Sequence, residues 1–378
     1  MMMNQELQLI RQTASDFATN VLKPQADLWA EKSEFPDAAI KALAELGFMG
    51  MLVSETYGGT DVGSLAYAMV MEELARGDGA VSTIVGVHNS VGCLPIYLFG
   101  SEAQKKLYLP KMCQGEWIGA FCLTEPQAGS DAKHLKTKAE LKNDHYVLNG
   151  VKQFVTNGKH ASIAIVFAVT DPDNPKHPIS AFIVPTNTKG FQVARLEKKM
   201  GQRASEIAQI VLEDCIVPIE NLLGERGQGY KIALSNLECG RIGVAAQAVG
   251  MAQAALEEAT HYAKERESFG KKIIEHQAIA FKLADMATKL EAARQLTYHA
   301  ATLRDQKVPC LKQAAMAKLF ATETAEYVAR EAIQIHGGYG YLNDFPVERI
   351  YRDVRVTSIY EGTSDIQKMI IAREMGKE

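Results

Sequence analysis

The segment Ile359-Tyr-Glu-Gly-Thr-Ser-Asp-Ile-Gln367 places one acid beside a permissive glycine and several hydroxyl and amide side chains. Ser364 followed three residues later by Gln367 fits a capping box, which predicts a final helix running through Ile366-Gln-Lys-Met-Ile-Ile-Ala-Arg. Glu361 then lies on a turn just before that helix, next to Gly362. Two readings fit such an acid. It is either an exposed carboxylate stabilised by the helix dipole, or one held by its neighbours and aimed into a cleft, where it could take up a proton.

Three more polar, glycine-containing stretches interrupt otherwise regular patterns. Leu123-Thr-Glu-Pro-Gln-Ala-Gly-Ser130 offers the hydroxyls of Thr124 and Ser130 and free amides to a planar polar ligand, or is an ordinary turn. Phe154-Val-Thr-Asn-Gly158 sets an aromatic beside a hydroxyl at a strand end, or simply ends the strand. In Gln334-Ile-His-Gly-Gly-Tyr-Gly340 the glycines allow backbone to approach a ligand, whereas a Schellman helix end needs only one of them. His336 reads as a hydrogen-bonded helix-end histidine. Arg266, in Arg-Glu-Ser-Phe-Gly270, either grips a phosphate or faces solvent.

Other chemistries find no support. No G-x-G-x-x-G follows a predicted strand, and neither a Walker loop nor a G-x-S-x-G elbow is present. Glu258-Ala-Thr-His261 matches half of a di-iron bundle signature, but a single copy reads as a solvated helix face. No metal site is expected.

The elements that must position these residues fall into three blocks. Helical spacing covers residues 6–30 and 36–46, with Gly47 as C-cap, then 64–74 and an apolar helix over 81–98. Gly100-Ser-Glu-Ala-Gln-Lys-Lys opens a further helix that Pro110 is expected to end. From about Ile118 the pattern becomes short strands: Tyr146-Val-Leu and Val151-Lys-Gln-Phe-Val-Thr flank Asn149-Gly150, a hairpin signal, and 163–169, 181–184, 191–194 and 207–212 follow. Pro172, Pro175, Pro178, Pro185 and Pro218 fall in turns between or after them. From Gly229 helices return, with Ile279, Leu283, Met286, Leu290, Ala293 and Leu296 as one bundle face and a second long helix over 311–335. The expected domains are 1–117 (helical), 118–225 (a compact β module) and 226–378 (a helical bundle).

Composition sets the class. A chain of 378 residues, 47% hydrophobic, can bury a large core, and its net charge of −4 gives no footprint for nucleic acid. No run reads as a membrane span, and Met-Met-Met-Asn-Gln-Glu lacks a signal peptide's regions. Six scattered cysteines without a C-x-x-C pair suit a reducing compartment, so a cytoplasmic protein without membrane insertion is expected.

Together, Phe-Cys-Leu-Thr-Glu-Pro-Gln-Ala-Gly-Ser-Asp131, Phe-Val-Thr-Asn-Gly158, Arg-Glu-Ser-Phe-Gly270, Gln-Ile-His-Gly-Gly-Tyr-Gly340 and Ile-Tyr-Glu-Gly-Thr363 resemble the acyl-CoA dehydrogenase family, in its order and over nearly the whole chain. Leu-Glu-Cys-Gly-Arg-Ile-Gly243 and Lys-Leu-Ala-Asp-Met-Ala287 resemble its short-chain and short/branched-chain members. The resemblance implies an α+β multidomain fold: an N-terminal α-helical domain, a middle β-barrel and a C-terminal four-helix bundle, usually tetrameric. It implies FAD, with Phe121, Leu123, Thr124, Gly129 and Ser130 lining the flavin and thioester, and Phe154, Val155 and Thr156 beside the isoalloxazine. Arg266, Phe269, Gln277, Gln334, Gly337 and Gly338 would hold the dinucleotide, partly across a subunit interface, and Thr363, Ser364 and Asp365 extend that contact. Ser130, Glu238, Arg241, Tyr360 and Gly362 fall on the substrate side.

By the same resemblance Glu361 is the catalytic base. Relatives with their base just before the arginine equivalent to Arg241 are not followed here, because that position is Gly240. Two departures from the common pattern are Glu238, where many members have Asp, and Gln127, where Gly is commoner. The implied reaction takes a proton from Cα and a hydride from Cβ of an acyl-CoA of short to medium chain, straight or branched, giving a trans-2-enoyl-CoA. The backbone N–H of Glu361 and a ribityl hydroxyl of FAD would polarise the thioester carbonyl. Electrons would pass to an electron-transferring flavoprotein, in fatty-acid β-oxidation or branched-chain amino-acid degradation. The alternatives are an acyl-CoA oxidase, expected to be longer and to release peroxide, and a non-catalytic scaffold, expected to be colourless.

Overall fold

The computed structural model describes residues 5–174 and 176–377; the N-terminal Met-Met-Met-Asn and the expected turn at Pro175 lie outside them. The first block comprises α1 (Gln5–Phe17), α2 (Ala26–Lys32), α3 (Asp37–Glu45), α4 (Gly63–Gly77), α5 (Gly79–Val87), α6 (Leu94–Phe99) and α7 (Glu102–Cys113). Gly47 at φ 78° ends α3 with a Schellman pair, Phe48 N–H to Leu43 O and Gly47 N–H to Ala44 O, both 2.9 Å.

Three helix expectations change in detail. The span 6–30 is broken at a π-turn (Ala18–Leu22) and again before α2. The span 81–98 is α5 and α6 joined by a second π-turn, His88–Cys93. There two buried polar residues plug the helix into its surroundings. His88 Nε2 faces Met49 O (3.0 Å) and Met112 O (3.1 Å), and Asn89 Nδ2 donates to Phe48 O (2.9 Å). Residues 79–99 are in fact long and apolar enough to cross a membrane, but 83% of their 18-residue apolar window is buried, so the span is a core element. Finally, Pro110 sits inside α7 rather than ending it. The helix start expected at Gly100-Ser-Glu-Ala forms, and it closes as a capping box, with Ser101 Oγ accepting from Gln104 N (3.2 Å) and Gln104 Oε1 accepting from Ser101 N (2.9 Å).

The middle block contains β1 (Gly119–Cys122), β2 (Lys138–Lys142), β3 (His145–Thr156), β4 (Ile163–Val169), β5 (Ile179–Pro185), β6 (Phe191–Leu196), β7 (Ile207–Pro218) and β8 (Leu222–Leu223). One sheet runs β6-β7-β3-β2-β4-β5-β8, with β1 added parallel to β4. It wraps a single interior core, including Leu148, Val166, Phe182, Phe191 and Leu212, so it is a barrel left open between β6 and β8. Asn149-Gly150 is not a hairpin. β3 runs straight through it, with a register shift against β7, and Asn149 bonds Asp214 instead. Gly150 is required because a Cβ there would meet Thr137 at 2.4 Å. The real turn is at Asn143, φ 55°, between β2 and β3.

The last block is α8 (Gly229–Glu265), the short pair β9 (Glu267–Ser268) and β10 (Lys271–Lys272), α9 (Gln277–Asp305), α10 (Leu311–His336), α11 (Pro346–Val354) and α12 (Ser364–Met375). α8, α9 and α10 form the bundle, and α12 packs back on α10. Leu283, Met286, Leu290 and Ala293 are buried as expected, whereas Leu296 at the stripe's end is 37% exposed. One hydrophobic core continues from this bundle into α1, α3, α4 and α5. Close approach needs small residues on α8: a Cβ at Gly250 would meet Glu72 O of α4 at 2.0 Å.

Candidate active site

Glu361 sits where the turn after α11 enters α12. It adopts φ 53° and Gly362 follows at φ 94°. A non-glycine residue in the left-handed region is strained and has to be held. The N-cap is Thr363, whose Oγ1 accepts from Ile366 N (3.4 Å), not Ser364. Gln367 is thereby released from capping, and its Nε2 donates to Gly362 O (2.8 Å) and Glu361 O (3.3 Å). From α10, the fully buried Lys318 donates to Tyr360 O (2.7 Å) and Gly362 O (2.5 Å). The carbonyls on both sides of Glu361 are therefore fixed, while its own N–H has no acceptor among the described residues.

The carboxyl group points at α8. A Cβ at Gly240 would lie 1.8 Å from Glu361 Oε2, so only glycine permits this placement. Glu361 is partly exposed as a residue, yet Oε2 is buried without a partner. Burial raises its pKa to about 7, against the lowering by Lys318 and Arg241. Burial likewise brings Lys318 down to about 7, although Glu361 acts to raise it. Arg241 is buried, its Nε unpartnered, and desolvation depresses it despite Glu361 and Glu238. An acid poised near neutrality, with one oxygen buried and unpartnered, can act as a general base.

Tyr360 anchors the turn from the other side. Its hydroxyl donates to Gln247 Oε1 of α8 and lies 3.5 Å from Gln202 Nε2. Thr83 of α5 donates to Gln202 Oε1 (2.6 Å), and Gln202 also binds Asp353. Residues from α5, the loop after β6, α8 and α11 thus converge on Tyr360.

The loop 123–130 is organised by a buried ion pair. Glu125 accepts from Lys152 Nζ (2.7 Å), Lys136 N (2.6 Å) and Thr137 N (3.0 Å), and Gln153 N donates to Thr124 O (2.8 Å). Burial acts to raise the Glu125 pKa, but Lys152 and these donors hold it at about 2. Gln127 is exposed and donates to Glu125. Gly129 and Ser130 are exposed, and Thr124 is half-buried. Phe121 packs edge-on against Phe167, and Leu123 is buried. At the β3 bulge Phe154 is held at φ 58° and is 63% exposed as a residue, while Thr156 is half-buried. Val155 is turned into the barrel core, so only its backbone faces outward.

A second group lies elsewhere. Arg266, 5.7 Å above the Tyr339 ring, lines a cleft of about 500 Å³ with His336, Gly337 and Gly338. Gln277 and Gln334 are exposed. Phe269, on the turn between β9 and β10, is 96% exposed. His336 is the helix-end histidine expected, Nδ1 to Ala332 O 2.8 Å, and stacks on Tyr262. Along α10, Lys318 to Gly337 spans roughly 28 Å at 1.5 Å per residue, and Arg241 to Arg266 on α8 spans roughly 37 Å. Within one chain the two groups are not brought together. Glu238 accepts from Cys310 Sγ (3.5 Å), pairs with Arg304 (3.8 Å) and is among the charges acting on Arg241. Glu258 pairs with Lys23 and His261 with Glu265, and no metal-holding cluster occurs among the described residues.

The sequence reading overlooked Lys318, Gln202, Gln247 and the spatial role of Gly240. A lysine on the apolar Ala314, Ala317, Ala321, Ala325 face of α10 was the available signal for Lys318.

Family models for the acyl-CoA dehydrogenase N-terminal, middle and C-terminal domains match residues 4–116, 120–215 and 227–376. An acyl-CoA dehydrogenase of Bacillus subtilis (strain 168) is 49% identical, covering 99% of this chain and 98% of that protein. A short-chain specific acyl-CoA dehydrogenase of Clostridium acetobutylicum is 44% identical, covering 98% of each. Among solved structures, butyryl-CoA dehydrogenase from Megasphaera elsdenii superposes with TM-score 0.97 at 42% identity and 99% coverage of both chains. A chain from work on the electron transferring flavoprotein of Acidaminococcus fermentans gives 0.98 at 44% identity, covering 100% and 99%. The prolyl acyl carrier protein oxidase AnaB gives 0.96 at 35% identity, covering 99% and 100%, so oxidases of this fold need not be longer.

Proposed function

The chain belongs to the acyl-CoA dehydrogenase family, and from that premise we propose that Glu361 is the base of its FAD-dependent α,β-dehydrogenation of a short-chain acyl-CoA. The observation that carries this is the unpartnered Oε2 of Glu361, buried over Gly240 and flanked by Lys318 and Arg241. A carboxylate there takes the Cα proton, and substrate that expels water makes it a stronger base. The free N–H of Glu361 is a donor for the thioester oxygen, an interaction worth roughly 3 kcal/mol of barrier when positioned. Lys318, Gln367 and Gln247 hold the turn that presents both groups.

The open surfaces fit FAD. The Phe154 ring, Thr156, Thr124, Gly129 and Ser130 would receive the flavin end, with Thr363, Ser364 and Asp365 beside it. FAD supplies the acceptor for the Cβ hydride. The Arg266, Phe269, Gln277, Gln334, Gly337 and Gly338 group lies too far along α8 and α10 to reach the same dinucleotide from one chain. It would hold a partner's, which supports a homo-oligomer, with a tetramer as the family expectation. Open space over Gly337 and Gly338, with nothing within 4 Å of an added Cβ, suits a backbone-bound pyrophosphate. Ser130, Glu238, Arg241, Tyr360 and Gly362 belong to the substrate side.

The domain division 1–117, 118–225 and 226–378, a cytoplasmic location, and an electron-transferring flavoprotein as acceptor complete the reading. The test is anaerobic addition of butyryl-CoA to the purified yellow protein. Flavin absorbance should bleach and crotonyl-CoA form. Colourless protein, or flavin untouched by any acyl-CoA, would overturn the assignment. Peroxide formed in air at the rate of turnover would move it to the oxidases.

A further inference from the structure

One buried polar group is used by neither the fold nor the reaction as described. Tyr67 of α4 is 0% exposed, and its hydroxyl has no hydrogen-bond partner among the described residues. Ser90 is the one side chain that acts on the phenol as a hydrogen-bonding neighbour, and its own Oγ–H goes to Gly86 O (2.6 Å). A phenol ring so deep in the core, with so little hydrogen bonding for its hydroxyl, asks for a reason.

Its position supplies one. A Cβ at Gly243 would meet Tyr67 Oη at 2.6 Å and the ring carbons at 3.2 and 3.3 Å. A Cβ at Gly240 would meet Glu361 Oε2 at 1.8 Å. Gly240 and Gly243 are three residues apart on α8, hence on one face, with Cβ positions roughly 5–6 Å apart. The base and the phenol therefore lie over the same glycine strip, one helical turn from each other. Glu361 also ranks among the charges acting on the Tyr67 phenol. Gly86 of α5 closes the third side, its Cβ position 3.8 Å from Tyr67 Oη.

Resting on the assignment of Glu361 as the base, we propose that Tyr67 forms the far wall of the acyl site and sets the chain length. Cα has to lie against the Glu361 carboxyl. About one helical turn remains before the phenol, which holds Cβ and Cγ with C–C bonds of ~1.5 Å and little more. A saturated four-carbon acyl group fits. Longer tails strike a ring that is packed in the core and cannot swing aside. The glycine at 243 serves the wall, because any side chain there would displace the ring toward the base.

The test uses the FAD-loaded protein with butyryl-, hexanoyl- and octanoyl-CoA and an artificial electron acceptor, together with calorimetric Kd values for their non-oxidisable 3-thia analogues. Tyr67→Ala should raise the octanoyl-to-butyryl ratio of kcat/KM by about 10²-fold, from roughly fourfold per newly accommodated methylene. The 3-thiaoctanoyl Kd should fall in parallel. Tyr67→Phe keeps the ring and should keep the preference for four carbons. If Tyr67→Ala does not fold, Gly243→Ala is read instead, and hexanoyl-CoA turnover should drop at least tenfold relative to butyryl-CoA. Folded, flavin-loaded Tyr67→Ala with an unchanged chain-length profile and unchanged analogue Kd values would overturn the proposal. Gly243→Ala with the wild-type hexanoyl-to-butyryl ratio would do the same. Absence of turnover in the wild-type protein with every acyl-CoA would instead sink the assignment of Glu361.

Discussion

Gly240→Ala is the perturbation whose consequence follows most directly from the packing of α8 against the Glu361 turn. The new methyl would sit 1.8 Å from Glu361 Oε2 and 2.6 Å from its Cδ. To regain ordinary contact at 3.4 Å the carboxyl oxygen must retreat by roughly 1.6 Å, and a misplacement of about 1 Å at a reacting group costs on the order of 10²-fold in rate. The backbone of Glu361 cannot absorb the shift, because Lys318 and Gln367 grip the carbonyls around it. The fold should survive, since alanine is favoured over glycine within a helix by up to about 1 kcal/mol. We therefore expect kcat with butyryl-CoA to fall by 10² or more, with bound flavin retained and Tm unchanged or slightly higher. The assay is steady-state turnover with an artificial acceptor, alongside thermal unfolding and the flavin spectrum. A Gly240→Ala protein with kcat within threefold of wild type would show that the carboxyl group does not work from this position.

Further outcomes concern the groups around the base. With Glu361 raised to about 7, kcat/KM should climb as pH rises through about 7, because only the ionised form accepts a proton. Lys318→Met removes a charge that lowers the Glu361 pKa, so that limb should move to higher pH while kcat falls throughout; a limb that stays in place would contradict the pairing. Lys152→Met would strand Glu125 in the interior, a loss of roughly 3–5 kcal/mol, seen as a lower Tm and loss of flavin. An unchanged Tm would count against the loop's dependence on this pair. The Glu125 pKa is depressed, so in the wild type the pair's contribution is present above about pH 4.5 and is lost as pH falls toward about 2.

The block order of helices, strands and helices was legible because apolar periodicity reports burial locally, and α8, α9 and α10 carry it over many turns. Local signals failed where tertiary contacts overrode them. Asn149-Gly150 carries turn chemistry, yet Gly150 is there so that β3 can pass close to Thr137. Pro110 reads as a stop, but α7 carries it within the helix. The box Ser364–Gln367 lost to Thr363 because Gln367 was needed to hold the Glu361 turn. Within the candidate site, the motif around Glu361 left an exposed acid and an aimed base both open and only the family resemblance favoured the base, whereas Gly240, Lys318 and Gln202 act only through elements distant in sequence. No spacing along the chain reports that a glycine on α8 leaves room for an acid on the turn before α12.

The central claim is tested most directly by Glu361→Gln in a single anaerobic turnover. This substitution preserves size and the backbone N–H while removing the basic oxygen. The protein should bind FAD and butyryl-CoA as the wild type does, yet its flavin should bleach more slowly by 10² to 10⁴-fold, the range of a positioned general base. Flavin reduction at the wild-type rate would contradict the account.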